Sequence, residues 1–322
     1  MSKLIINAAI TGMVPTQSQN PHVPITCAEI TADVVRCRSA GASIVHLHAR
    51  DENGAPTYRK DIYQDILRSV RAACPDIITC ISTSGRIFKT FDERSAVLDV
   101  TDPAPEMASL TLGSLNFPSG ESVNSPSMIK SLALRMHERH IVPELECFEI
   151  GMIESSHYLI SHDILFPPLY FNILLGSLGT LGGSRANLEA AVSAMPKGAT
   201  WAAAGIGRSQ TLVCDMAIEM GGHVRIGLED NLWYDQDKAV LATNAMLIER
   251  VVAKARSIGR DIASPAEARQ MIGLSSKSGH PNERQKAASA ATLRSATEAS
   301  PTTDDYFRRE RSQMSPEPCD SP

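Results

Sequence analysis

The chain has 322 residues, 43% of them hydrophobic and 21% charged, with a net charge of −5. That length suits one large α/β domain with a core that needs no disulfide staples, and the acidic balance excludes an obvious nucleic-acid or anionic-membrane partner. Seven cysteines without a C-x-x-C pair argue against a disulfide framework or zinc ribbon, and neither a signal peptide after Met1 nor an apolar run of about 18 residues is evident. A soluble cytoplasmic protein is expected.

Eight short apolar runs read as buried strands: Leu4–Ile10, Ser43–Ala49, Ile77–Thr83, Met107–Leu112, Ile141–Phe148, Tyr170–Gly176, Thr200–Ile206 and His223–Leu228. They are continuous rather than alternating, as in a parallel sheet covered on both faces. Helical patterns lie between them. Thr26 and Glu29 form a capping box that opens a helix to about Ala40. Asp61–Ala73, Phe91–Val100, Ser125–Arg139, Gly151–Ser161, Asn187–Met195, Ser209–Met220 and Gln236–Ser257 follow. Eight strand–helix units over residues 1–274 predict a (β/α)₈ TIM barrel. A doubly wound sheet is the runner-up, but no G-x-G-x-x-G follows the first strand. From Ser275 to Pro322 the large apolar residues are only Leu293, Tyr306, Phe307 and Met314. That composition predicts a disordered, flexible C-terminal tail.

In a barrel, chemistry belongs at the C-terminal ends of the strands. His46 and His48 are two apart on the second strand and so share a side. Two imidazoles in a barrel mouth suit a metal, although one could be a bonded core histidine and the other solvated. Glu229, ending the last strand beside the second, could supply a third ligand, and Asp230 and Arg225 lie next to it. Ser82, Ser84 and Gly85 end the third strand, where successive N–H groups could cradle an anion or simply make a turn. Ser109 and Thr111 share a face of the fourth strand, as do Glu144 and Glu146 of the fifth. Gly207 and Arg208 follow the seventh, where glycine allows close approach of a phosphate-bearing ligand.

Five segments resemble the β-keto acid cleavage enzymes: Ile6 to Gly12, Val45 to Asp51, Ile81 to Thr83, Gly205 to Arg208 and Gly227 to Asn231. The resemblance runs in order over about residues 3–274. It implies a zinc-dependent (β/α)₈ barrel, usually a homotetramer, that converts a β-keto acid and acetyl-CoA into acetoacetate and a new acyl-CoA. On that basis His46, His48 and Glu229 would hold zinc, which would polarise the ketone. Asp230, with Arg225 as partner, would act as base. Ser82 and Gly85 would bind the carboxylate end, and Ser109 and Thr111 would line the same site. Arg208 and Gly207 would meet CoA. Two departures bear on substrate choice. Val14 stands where the family member acting on an amino-substituted substrate has Glu, and the third-strand loop reads Ser84-Gly85-Arg86 rather than a Gly-Gly pair. Both favour a neutral or anionic β-keto acid. The competing readings are a zinc hydrolase of the amidohydrolase kind and a degenerate barrel used for binding. The first would place its H-x-H on strand one, with further histidines on strands five and six.

Overall fold

The structure, a computed structural model, describes residues 1–118 and 120–274. The expected flexible tail, 275–322, lies outside the described residues. Eight parallel strands form a closed barrel: β1 (Ile6–Ala9), β2 (Ile44–Leu47), β3 (Ile78–Ile81), β4 (Met107–Thr111), β5 (Val142–Cys147), β6 (Tyr170–Leu175), β7 (Thr200–Gly205) and β8 (His223–Ile226). β1 pairs with both β2 and β8, which closes the ring. The TIM barrel expected from the strand–helix alternation is the fold observed. The strands are shorter than the apolar runs that mark them, because the ladder ends where each chain turns toward its helix. Among the described residues no helix is long and apolar enough to cross a membrane.

The helices are α1 (Cys27–Ala40), α2 (Lys60–Ala73), α3 (Phe91–Ser95), α4 (Pro126–Glu138), α5 (Ile150–Ser161), α6 (Arg185–Ser193), α7 (Gln210–Glu219), α8 (Asn244–Ser257) and α9 (Pro265–Ile272). The Thr26–Glu29 capping box is formed as read. Two expectations fail. The helix expected over Phe91–Val100 breaks after Ser95 into a 3₁₀ turn, Ala96–Asp99, ahead of Pro103 and Pro105, which cannot extend a helix. The helix expected from Gln236 starts only at Asn244. Asp235 intervenes: its carboxylate accepts from the Ala239 and Val240 amides at 3.0 and 2.6 Å. Such local capping competes with helix formation.

The sequence reading contains no counterpart of α9. Its signature is nonetheless present: Ser264 caps the helix, Pro265 takes the first turn and Glu267 completes the box. α9 plugs the N-terminal end of the barrel. Ala268, Ile272 and Leu274 pack with Ile5, Ile44, Ile78, Met107 and Tyr170, the lowest inward-facing side chains. Arg269 spans Glu106 through both carboxylate oxygens, at 2.7 and 2.8 Å. The dry plug leaves the opposite, C-terminal mouth as the open end.

Beside the plug, buried His223 accepts from the Ile5 amide at 3.1 Å through Nδ1, and Arg260 lies 3.5 Å from the same nitrogen. Burial, and then Arg260, push its pKa down to about 3. The unfolded chain binds this proton below about pH 6.5, the native chain only below about 3. Stability present above pH 6.5 is therefore lost as pH falls through that window, by up to about 1.4 kcal/mol per pH unit. Denaturant midpoints measured from pH 7 to 4 should fall less steeply for His223→Asn, which keeps an acceptor and cannot titrate. Parallel curves would contradict this role for His223.

Candidate active site

The barrel interior changes character along its axis. Above the apolar floor the inward positions become Asn7 on β1, His46 on β2, Cys80 on β3, Glu144 on β5, Asn172 on β6 and Arg225 on β8. All are buried. Parallel register sets this layer: Ala9 pairs with His46, and His46 with Cys80. Glu144 is its hub. Its Oε1 accepts from Asn7 at 2.6 Å and Asn172 at 3.3 Å. Its Oε2 lies 2.7 Å from His46 Nδ1 and 3.3 Å from the Cys80 thiol.

This bonding sets the His46 tautomer. A carboxylate can only accept, so the proton sits on Nδ1 and Nε2 presents a lone pair. His46 Nε2 faces His48 Nε2 at 3.3 Å. Glu229 completes the cluster, with Oε1 3.2 Å from His48 Nε2 and Oε2 4.0 Å from His46 Nε2. Glu229 Oε2 is buried without a hydrogen-bond partner. Two facing nitrogens and an orphaned carboxylate oxygen form a group that could hold a shared cation. Separations of 3.2–4.0 Å are compatible with a zinc ion, whose ligands at about 2.0–2.2 Å from the metal lie roughly 3.3 Å apart. His46, Cys80 and Glu144 also lie within ligating distance of one another. That set is unsuited to an ion, since both Glu144 oxygens are engaged, and burial followed by Glu144 pushes the Cys80 thiol well up. The residues present fit one metal, on His46, His48 and Glu229.

Arg225 binds the same Glu229 oxygen that faces His48. It donates to Glu229 Oε1 at 2.7 Å, to Glu146 Oε1 at 2.9 Å and to both Asp230 oxygens at 3.0 and 3.3 Å. Burial pushes the Glu229 carboxyl up, but Arg225 and the two imidazoles overrule it and hold it well below the usual range. For Asp230 burial prevails over Arg225, so its carboxyl is raised. Four carboxylates around one engaged guanidinium leave an excess of negative charge that a divalent cation would offset.

The loops bearing these groups are pinned by buried polar side chains. Asn244, the first residue of α8, accepts from the Leu228 amide at 2.8 Å and donates to the Ile10 carbonyl at 3.0 Å and to Asp33 at 2.6 Å. Gly12 adopts φ +71°, and a Cβ there would lie 2.6 Å from the Glu229 side chain. Arg50 donates to the carbonyls of Gly12, Pro15 and Gly54, so it holds the first loop. Val14, on that loop, is 49% exposed at the rim of a cleft of about 280 Å³ that Gly207, Arg208, Glu229, Asp230 and Trp233 also line.

The third-strand loop behaves differently from the anion cradle considered above. The amides of Ser82, Thr83, Ser84 and Arg86 each donate to a protein oxygen. The hydroxyl of Ser82 lies 3.3 Å from Tyr58 and accepts from Ser84; that of Ser109 accepts from Thr83. Thr111 donates to Glu146 at 2.9 Å. Gly85 is required sterically: a Cβ would lie 2.7 Å from the Arg94 guanidinium. Arg94 in turn holds the loop by Thr83 and Asn124, at 2.8 and 2.7 Å. Four residues that the sequence reading left without a role, Arg94, Asn244, Arg50 and Cys80, thus support the site. Only their burial distinguishes them. The hydrolase arrangement is absent, since β1 and β6 carry Asn7 and Asn172 at the inward level and β5 carries glutamates.

The family model for the beta-keto acid cleavage enzyme matches residues 3–274. The chain is 41% identical over 276 residues to a 3-keto-5-aminohexanoate cleavage enzyme of Fusobacterium nucleatum, covering 85% of this chain and 99% of that one. It is 36% identical over 275 residues to the 3-oxoadipate:acetyl-CoA acetyltransferase of Cupriavidus necator, covering 84% and 95%. The apo structure of ObcA superposes with a TM-score of 0.69 at 22% identity, over 79% of this chain and 66% of that one, and shares the fold.

Removing Arg225 would leave three buried carboxylates without their common partner. Arg225→Met should destabilise the chelator-treated protein by about 3–5 kcal/mol. Arg59→Ala, which breaks exposed, solvent-screened pairs with Asp61 and Glu52, should leave stability nearly unchanged. Urea midpoints measure both; equal losses would contradict the hub assigned to Arg225.

Proposed function

The chain belongs to the beta-keto acid cleavage enzyme family, and we propose that it exchanges the acyl part of a β-keto acid for the acetyl group of acetyl-CoA, releasing acetoacetate and a new acyl-CoA. The observation that carries this reading is the meeting of three candidate metal ligands, His46, His48 and Glu229, with a carboxylate, Asp230, held by Arg225. The chemistry a zinc ion supplies there when bound is polarisation of the substrate's ketone. Two neutral imidazoles and one carboxylate leave such an ion electrophilic and leave room for substrate.

The chain's own groups do the rest. Asp230 accepts two hydrogen bonds from Arg225, which orients it, and each oxygen keeps a further lone pair. It takes the proton from the carbon between the ketone and the carboxylate. A raised carboxyl pKa suits that task, because a base nearer neutrality transfers protons more effectively. Arg225 then offsets the negative charge as it moves through the site. Glu144 fixes the His46 ring and its tautomer, and such partners are worth roughly 10–100-fold in metal affinity. Ser82, Gly85, Ser109 and Thr111 shape the carboxylate end of the substrate site. Arg208 and Gly207, on the cleft that opens beside Asp230, meet the CoA ester. A cytoplasmic homotetramer with a core of residues 1–274 is part of the same proposal.

His46→Ala should lose most bound zinc, measured by atomic emission, while keeping the barrel's circular dichroism. Asp230→Asn should keep its zinc and its KM and lose roughly 10²-fold in kcat, the scale of general-base catalysis. Full zinc in His46→Ala, or unchanged turnover in Asp230→Asn, would contradict these assignments.

A further inference from the structure

Four arginines near the ends of the barrel are buried and hydrogen-bonded, whereas the half-buried Arg86 makes no side-chain hydrogen bond among the described residues. Arg50 and Arg94 brace loops through three or more donated bonds each. Arg225 holds three carboxylates. Arg260 caps four carbonyls. Arg86 is the exception. Its guanidinium lies 3.5 Å over the Phe117 ring. Among the described residues no oxygen accepts from it and no carboxylate lies within ion-pair distance.

A half-buried guanidinium without an acceptor carries a desolvation cost that a stacked ring only partly offsets. Arg86 follows Gly85 on the loop that leaves the C-terminal end of β3, so it stands at the open mouth of the barrel. Burial lowers its pKa, while Glu229, Glu146 and Asp230 pull the other way. Phe117 is itself packed edge-on against Phe148, with ring centroids 5.6 Å apart. The fork is therefore held by one face, with its N–H edge left for a ligand. Across the mouth the first loop, from Thr11 to Pro24, contains no acidic residue. It offers Val14 and carbonyls already taken by Arg50. A cationic substrate arm would find no partner there.

We propose that Arg86 is the receptor for a second carboxylate, so that this chain acts on a dicarboxylic β-keto acid. The proposal rests on the β-keto acid reading above and adds the charge of the substrate's far end. Arginine suits this position because its planar fork meets a carboxylate through two parallel bonds. Gly85 allows the loop to pass close over Arg94, and the next residue then projects to Phe117.

The test separates binding from turnover. Calorimetric titration with two non-reacting ligands, adipate and hexanoate, measures the contribution of the second carboxylate. Wild type should bind adipate at least about tenfold more tightly, the scale of one hydrogen-bonded charge pair. Arg86→Gln should abolish that preference and leave hexanoate binding within about twofold, and Arg86→Lys should restore part of it. Equal affinity of wild type for the two ligands would overturn the proposal, as would an equal loss of both in Arg86→Gln. A second arm compares kcat/KM for dicarboxylic, neutral and cationic β-keto acids with acetyl-CoA. The dicarboxylic preference should vanish in Arg86→Gln through KM; a wild type that prefers the cationic substrate would overturn the proposal. Silence with all three substrates would count against the proposed function, while the adipate titration would still decide the role of Arg86.

Discussion

Buried negative charge is the constraint on which the site depends. Glu144, Glu146, Glu229 and Asp230 converge in the upper half of a closed barrel, buried or nearly so. Only Arg225 reaches three of them directly. Such a cluster is tolerated when each oxygen has a partner, and nearly every one does. The exception is Glu229 Oε2, beside two imidazole nitrogens that face one another at 3.3 Å. The unmet demand for positive charge falls at the point where a cation has three ligands.

The scaffold serves that point through contacts far from it. α9 seals the floor with apolar side chains, so the polar layers lie at the open end only. Asn244 joins the ends of β1 and β8 to α1, and the carboxylates Glu229 and Asp230 follow from where it holds Leu228. Arg50 and Arg94 do the same for the first and third loops. Buried side-chain bonds to loop carbonyls restrict motion where the strand ladder has already ended. Catalysis by positioned groups needs placement to a fraction of an ångström, and these clamps supply it.

The barrel was legible because its strands are unbroken apolar runs at regular spacing, and the histidine pair because a period of two puts His46 and His48 on one side. Glu144 and Glu146 announced a shared face in the same way, though not the partners they take. The clamps were illegible for a physical reason. Arg50, Arg94 and Asn244 act through carbonyls distant in the chain, and nothing in local spacing separates a buried arginine from a solvated one. α9 was missed although its capping box is plain, since it follows the last strand–helix unit and belongs to no repeat. The late start of α8 reflects Asp235, whose side chain diverts the backbone into a turn that periodicity alone does not register. The third-strand loop left two readings open, an anion cradle and an ordinary turn, and the folded chain uses four of its amides itself.

His46, His48, Glu229 and Asp230 are proposed to serve an acyl exchange with acetyl-CoA, and turnover of a β-keto acid with acetyl-CoA labelled with carbon-13 in both acetyl carbons tests that exchange. The exchange joins the acetyl group to the carbon next to the substrate's carboxylate and moves the remaining acyl group to the CoA sulfur. Label should appear at the ketone and methyl carbons of acetoacetate, and none in the acyl chain of the new CoA ester. Unlabelled acetoacetate, or product formed without any acetyl-CoA, would contradict it.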